Sequence, residues 1–188
     1  MLIENHRLNL ARQVDCINHN ERPDDEISLL VIHNISLPAG VFGGSYIEDL
    51  FCNRLDPDAH PSFADIAPLE VSAHLLIRRD AEVIQFVPFD RRAWHAGVSS
   101  FEGRDQCNDF SIGIELEGSD EQEFTAQQYE VLIEITQALM QNYPDITLAR
   151  ITGHSDIAPE RKTDPGPYFD WQTYLGQLTP LEDCNATD

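Results

Sequence analysis

Residues 28–33 read SLLVIH, four apolar residues in an unbroken run closed by a histidine. A strand with one wet face alternates apolar and polar residues. A continuous run of this length fits a strand covered on both faces. That reading requires a sheet with helices or loops on each side. It also puts His33 at the C-terminal end of a buried strand, where a side chain can leave the core and face a cleft.

Outward from this run, the chain supplies the rest of such a sheet. Residues 72–78 (SAHLLIR) and 82–87 (EVIQFV) read as a hairpin turning at Arg79, Asp80 and Ala81. Residues 111–117 (SIGIELE) alternate, with Ile112, Ile114 and Leu116 on one side and Ser111, Gly113, Glu115 and Glu117 on the other. Residues 150–153 give a last short strand. The strongest helix spans 125–143: Thr125 and Gln128 form a capping-box pattern, and Pro144 marks the stop. Its core stripe is Tyr129, Leu132, Ile133, Thr136, Leu139 and Met140. Shorter helices are expected over 45–52 and 170–178. Residues 1–27 are polar and are expected to wrap the surface. Residues 37–44 form a loop with turns at Gly43 and Gly44, and 53–68 form an irregular surface excursion. The fold class is α/β (α+β), a central mixed sheet flanked by helices. With no repeat or linker to divide it, the chain reads as one domain over 1–188, its core at about 28–178.

The formal net charge is -21, which excludes sequence-independent nucleic-acid binding and docking to anionic lipid. No segment is long and apolar enough to cross a bilayer, and Glu4 and Arg7 stand where a secretory leader needs an apolar core. A cytoplasmic location is expected, with no nucleic-acid or membrane partner and a monomeric state. Cys16, Cys52, Cys107 and Cys184 are scattered without a CxxC pair and read as reduced thiols.

The chemistry concentrates in residues 154–167, HSDIAPERKTDPGP, a Pro-rich loop holding His154, Arg161, Lys162 and Asp164. Lys162 is the only lysine in the chain. His33, His154 and Asp164 make a workable catalytic zinc set, two imidazoles and one carboxylate with a fourth position left for water. His60, His74 and His95 compete for a ligand role. Glu115 reads either as a solvated carboxylate on a half-exposed strand or as a general base aimed at a cleft, with Gly113 beside it leaving room for close approach. Lys162 reads as a surface cation or as a point charge for an oxyanion. Arg161 is a solvated charge or a grip on a substrate carboxylate or carbonyl, and Trp94 is a structural ring or a ligand wall. The sequence has no GxSxG, P-loop or GxGxxG.

Taken in order, LLVIHNISLP, FGG, VSAHLLIRRD, WHAG, CNDFSIGIELEG and TGHSDIAPERKTDPGP closely resemble the type-2 N-acetylmuramoyl-L-alanine amidases. Within that class the chain is most similar to the cytoplasmic AmpD-type enzymes of Gram-negative bacteria, from about residue 28 to about 175. The resemblance implies a mixed sheet with flanking helices, as in peptidoglycan recognition proteins. It implies one Zn2+ and cleavage of the amide between the lactyl group of 1,6-anhydro-N-acetylmuramic acid and the L-alanine of its peptide. Cell-wall recycling follows, with an indirect effect on β-lactamase induction. The family ligands fall on His33, His154 and Asp164, the base on Glu115 and the oxyanion-stabilising cation on Lys162. Asn34 and Arg161 match positions near substrate, and His74 and His95 match as supporting residues.

Close relatives carry arginines just before VSAH and CND, where this chain has Glu70 and Gln106. A different stem-peptide preference is the expectation there. Two rivals remain: a non-catalytic recognition module, which usually lacks part of the metal set, and an amidase acting on intact exported wall, which the acidity of the chain disfavours.

Overall fold

The computed structural model describes residues 1–178. Its centre is a six-stranded sheet of β1 (Arg12–Gln13), β2 (Leu29–Ile35), β3 (Leu75–Ile77), β4 (Val83–Gln85), β5 (Ser111–Glu117) and β6 (Ile151–Gly153). The spatial order is β6-β2-β5-β3-β4-β1. Only the β3–β4 hairpin is antiparallel; β6, β2, β5 and β3 run parallel, as do β4 and β1. Four helices accompany the sheet: α1 (Tyr46–Phe51), α2 (Ala126–Asn142), α3 (His154–Ile157) and α4 (Trp171–Gly176). This is the mixed sheet with flanking helices that the sequence predicts.

The pleat sorts the two central strands. Leu30, Ile32, Ile112, Ile114 and Leu116 join the core with α2 and α4 residues such as Leu132, Leu139 and Tyr174. Leu29 and Val31 face the opposite side, against Ala96, Cys107, Phe110 and Ile157. In the β2–β5 ladder His33 stands opposite Glu115, so both leave the sheet on this second side. At the head of α2 the Thr125 hydroxyl accepts from Gln128 N (3.1 Å), and Gln128 Oε1 accepts from Thr125 N (3.1 Å). Gln128 Nε2 also donates to the carbonyls of Ile77 and Glu117, tying the helix start to the strand ends.

Three sequence expectations change. β5 is not half-exposed: all seven of its residues are buried, because loops cover its polar face as α2 covers its apolar face. Residues 1–27 are more than a surface wrap. They supply edge strand β1 and the buried guanidinium of Arg22, which donates to the carbonyls of Phe89, Asn108, Asp109 and Ser111. The 53–68 excursion is anchored by Leu55 and by Phe63, which is fully buried against the α1 side of the sheet. Cys16, Cys52 and Cys107 are free thiols; Cys184 lies outside the described residues. No helix among the described residues is long and apolar enough to cross a membrane.

Candidate active site

β2, the first residue of α3 and the loop after α3 each deliver one side chain to a single point. His33 lies near the end of β2, and His154 opens α3 directly after β6. Asp156 fixes that turn by accepting from Gly153 N (2.9 Å) and the Thr152 hydroxyl (3.1 Å). Asp164 follows, its carbonyl accepting from Ser155 N (2.9 Å). Asn34, beside His33, donates through Nδ2 to the Asp120 carboxylate (2.7 Å) and to Pro165 O (3.0 Å), which clamps the chain next to Asp164.

His33 Nδ1, His154 Nδ1 and Asp164 Oδ2 form a triangle with every side 3.0 Å. His154 Nε2 lies 3.1 Å from Ala96 O and must carry the proton to donate there. In the neutral ring Nδ1 is then a bare lone pair, facing a carboxylate oxygen that is also an acceptor. A cation at the centre resolves this arrangement. The spacing suits it: tetrahedral zinc with bonds of ~2.0–2.1 Å places its ligand atoms ~3.3 Å apart. Burial pushes His33 down to about 4, more than the facing carboxylate raises it, which keeps the ring neutral as a ligand must be.

Beside the triangle is a cavity of about 240 Å³ whose polar lining includes Asn34, Trp94, His95, Glu115, Lys162 and Asp164. Its apolar wall comes from α1 (Leu50, Phe51) and from the chain around Ile66, Leu69 and Val71. Glu115 is buried, and its Oε2 has no hydrogen-bond partner among the described residues. Desolvation, reinforced by Asp164 and opposed by Lys162, raises its carboxyl well above the usual range. Lys162 is exposed and also lines an open groove of about 610 Å³ with Asn34, Ser36, Asp120 and Asp164.

The five residues singled out in the sequence therefore converge. Trp94 lines the cavity, its indole N–H donating to Asn20 Oδ1 (2.8 Å). Arg161 borders two grooves, and its Nη2 donates to the carbonyls of Ala96 and Val98, both at 2.7 Å. Of the competing histidines, His60 lies in an exposed turn with Ser62, and His74 is buried, its Nδ1 accepting from Gly113 N (3.0 Å). Gln106 lines a groove of about 800 Å³ that Arg161 also borders, while Glu70 is exposed. Sequence reasoning missed Asp120, and it gave His95 as a supporting residue without its contact to His33. Gly113 was the one local sign of the latter, since a small residue on a polar strand face leaves room for something.

Residues 23–167 match the family described as N-acetylmuramoyl-L-alanine amidase. The chain is 60% identical over 188 residues, all of both chains, to the 1,6-anhydro-N-acetylmuramyl-L-alanine amidase AmpD of Enterobacter cloacae. A crystal structure of a Se-Met AmpD derivative superposes with a TM-score of 0.93 at 58% identity, covering 95% of this chain and 100% of the other. The amidase AmiD of E. coli, solved in complex with the substrate anhydro-N-acetylmuramic acid-L-Ala-D-gamma-Glu-L-Lys, is 32% identical, with a TM-score of 0.59 over 81% of this chain and 57% of that one. The fold, the full-length identity and the family match agree: this chain belongs to the N-acetylmuramoyl-L-alanine amidases, in their AmpD-type branch.

Proposed function

We propose that this chain is a single-domain, zinc-dependent amidase that releases the stem peptide from 1,6-anhydro-N-acetylmuramic acid. One observation carries the metal part of this reading: His33 Nδ1, His154 Nδ1 and Asp164 Oδ2 stand 3.0 Å from one another, and the contact of His154 Nε2 with Ala96 O assigns the proton of that ring to the far nitrogen. The substrate class rests on the AmpD-type relatives and on AmiD, whose solved complex holds an anhydro-muramyl peptide. A cytoplasmic recycling role, with its indirect effect on β-lactamase induction, is part of the same reading.

His33, His154 and Asp164 would hold the zinc, which when bound supplies Lewis acidity and an activated water. Glu115 takes the proton of the attacking water and later returns it to the leaving L-alanine amine. Its raised carboxyl pKa and unpartnered oxygen suit a group that must both accept and release a proton. The Lys162 ammonium stabilises the oxyanion that forms on the lactyl carbonyl. Asn34 and Trp94 line the cavity beside it, and Arg161 fixes the 96–98 wall and borders both grooves, where it is a substrate contact in this reading.

The test is mass spectrometry of products from anhydro-muramyl tripeptide, with zinc-loaded and chelator-stripped protein side by side. Free tripeptide released only by the loaded protein is the expected result. Zinc bound without release would favour intact wall as the substrate. No zinc bound at all would favour a recognition module.

A further inference from the structure

We propose that His95 is the positioning residue of the metal site: its Nδ1 accepts the Nε2–H of His33 and so presents the Nδ1 lone pair of His33 to the cation. The inference rests on the metal reading above and goes beyond the ligands themselves. His33 Nε2 and His95 Nδ1 are 2.9 Å apart, and the two rings meet edge-on at an interplanar angle of 86°. The chain of contacts continues on the far side of the second ring, where His95 Nε2 lies 3.2 Å from the buried hydroxyl of Ser111. With protons on both Nε2 atoms, the His33–His95 and His95–Ser111 contacts each have one donor and one acceptor. Run the other way, with His95 donating, His33 would carry its proton on Nδ1, facing Asp164, and could not ligate.

The surroundings hold His95 for this task. Its backbone N and that of Ala96 both donate to Asn108 Oδ1, at 3.1 and 2.8 Å. A Cβ on Gly113 would lie 2.4 Å from His95 Cγ, so the ring occupies the space that the glycine leaves. The next residue does the same work for the other imidazole, since Ala96 O accepts from His154 Nε2. One two-residue segment thus sets the tautomer of both ligands, through a side chain for His33 and a carbonyl for His154. Such partners are often carboxylates. A neutral imidazole orients the ligand without adding a negative charge, so a divalent ion with one carboxylate ligand keeps its net positive charge and its Lewis acidity.

Histidine-selective 15N NMR of the zinc-loaded wild-type protein reads the tautomers directly. Both His33 and His95 are expected to be protonated at Nε2; a proton on Nδ1 of either overturns the inference. Zinc affinity, measured by competition with a chromophoric chelator, gives the second readout. His95→Leu fills the space but cannot accept, and is expected to weaken zinc binding by ~10–100-fold. His95→Asn keeps a polar atom near the Nδ1 position and is expected to recover most of that loss. Unchanged affinity in His95→Leu, or equal losses in both variants, overturns the positioning role and leaves the metal site standing. A wild-type protein that takes up no zinc overturns the metal reading and this inference with it.

Discussion

Glu115 and Glu117 leave the same face of β5 two residues apart, both buried, and only one of them is satisfied. Glu117 accepts from Gly43 N (2.7 Å), Arg79 N (3.1 Å) and Arg78 Nη1 (3.2 Å), whereas Oε2 of Glu115 has no partner among the described residues. An ionisable group buried without a partner costs stability, and folds keep such groups where chemistry needs them. Glu115→Gln is therefore expected to lower turnover by ~10²–10⁴, with zinc still bound and the melting temperature unchanged or higher. Glu117→Gln should do the reverse, melting earlier while the surviving folded protein turns over. Near-full activity in Glu115→Gln removes it from the base role.

Lys162→Arg preserves charge and replaces a compact ammonium with a broad planar fork. A loss of kcat of ~10²-fold or more is expected, in line with the removal of one oxyanion donor. Because no other lysine exists, amine-directed acylation reaches only Lys162 and the N-terminus. Labelling that inactivates, and that substrate slows, agrees with this role; a fully acylated protein with full activity refutes it.

Asn34→Ala removes the amide that donates to both Asp120 and Pro165 O and so clamps the chain beside Asp164. The expected cost is ~1–3 kcal/mol of stability from unsatisfied partners, together with weaker zinc binding. Calorimetry and chelator competition would check this. A rise in KM alone, with melting temperature and zinc affinity intact, would make Asn34 a substrate contact and not a clamp.

Buried neutral imidazoles give the fold an acid sensitivity that begins early. Burial, then the charge of Arg22, pushes His74 down to about 3; burial pushes His33 to about 4. Both lie below the ordinary value of ~6.5, so the stability they contribute is complete above pH ~6.5 and is lost as pH falls from there toward the folded values. Glu115 has the opposite sign, since its raised carboxyl destabilises the fold increasingly as pH rises above ~4.3. His95, buried and held well below its ordinary value, has the same sign as His33 and His74, so three imidazoles stand against one carboxyl and the melting temperature of chelator-treated protein should fall between pH 7 and pH 5. A flat or rising profile across that window would contradict the assignment.

Much of this was legible along the chain because it was written locally. The SLLVIH run announced a strand buried on both faces, and the Thr125–Gln128 pair announced a helix start; both depend only on neighbours in sequence. What was not legible depends on partners far along the chain. Nothing near Arg22 shows that four carbonyls from elsewhere receive it. Gly113 signalled an open space, but the His95 ring that fills it arrives through tertiary packing. The alternation in Ser111–Glu117 suggested a wet face, because a periodic pattern cannot reveal which loops later cover it.

The abreast pairing of His33 and Glu115 in the parallel β2–β5 ladder has a consequence for assembly. A slip of one residue between these strands would swing Glu115 into the α2 side and bring Ile114 or Leu116 to the cavity. A molecule in such an arrangement could keep most of its backbone bonding and hydrolyse nothing. Hydrolysis regained during refolding is thus a clock for strand alignment, timing the moment when the two central strands find each other at the correct offset.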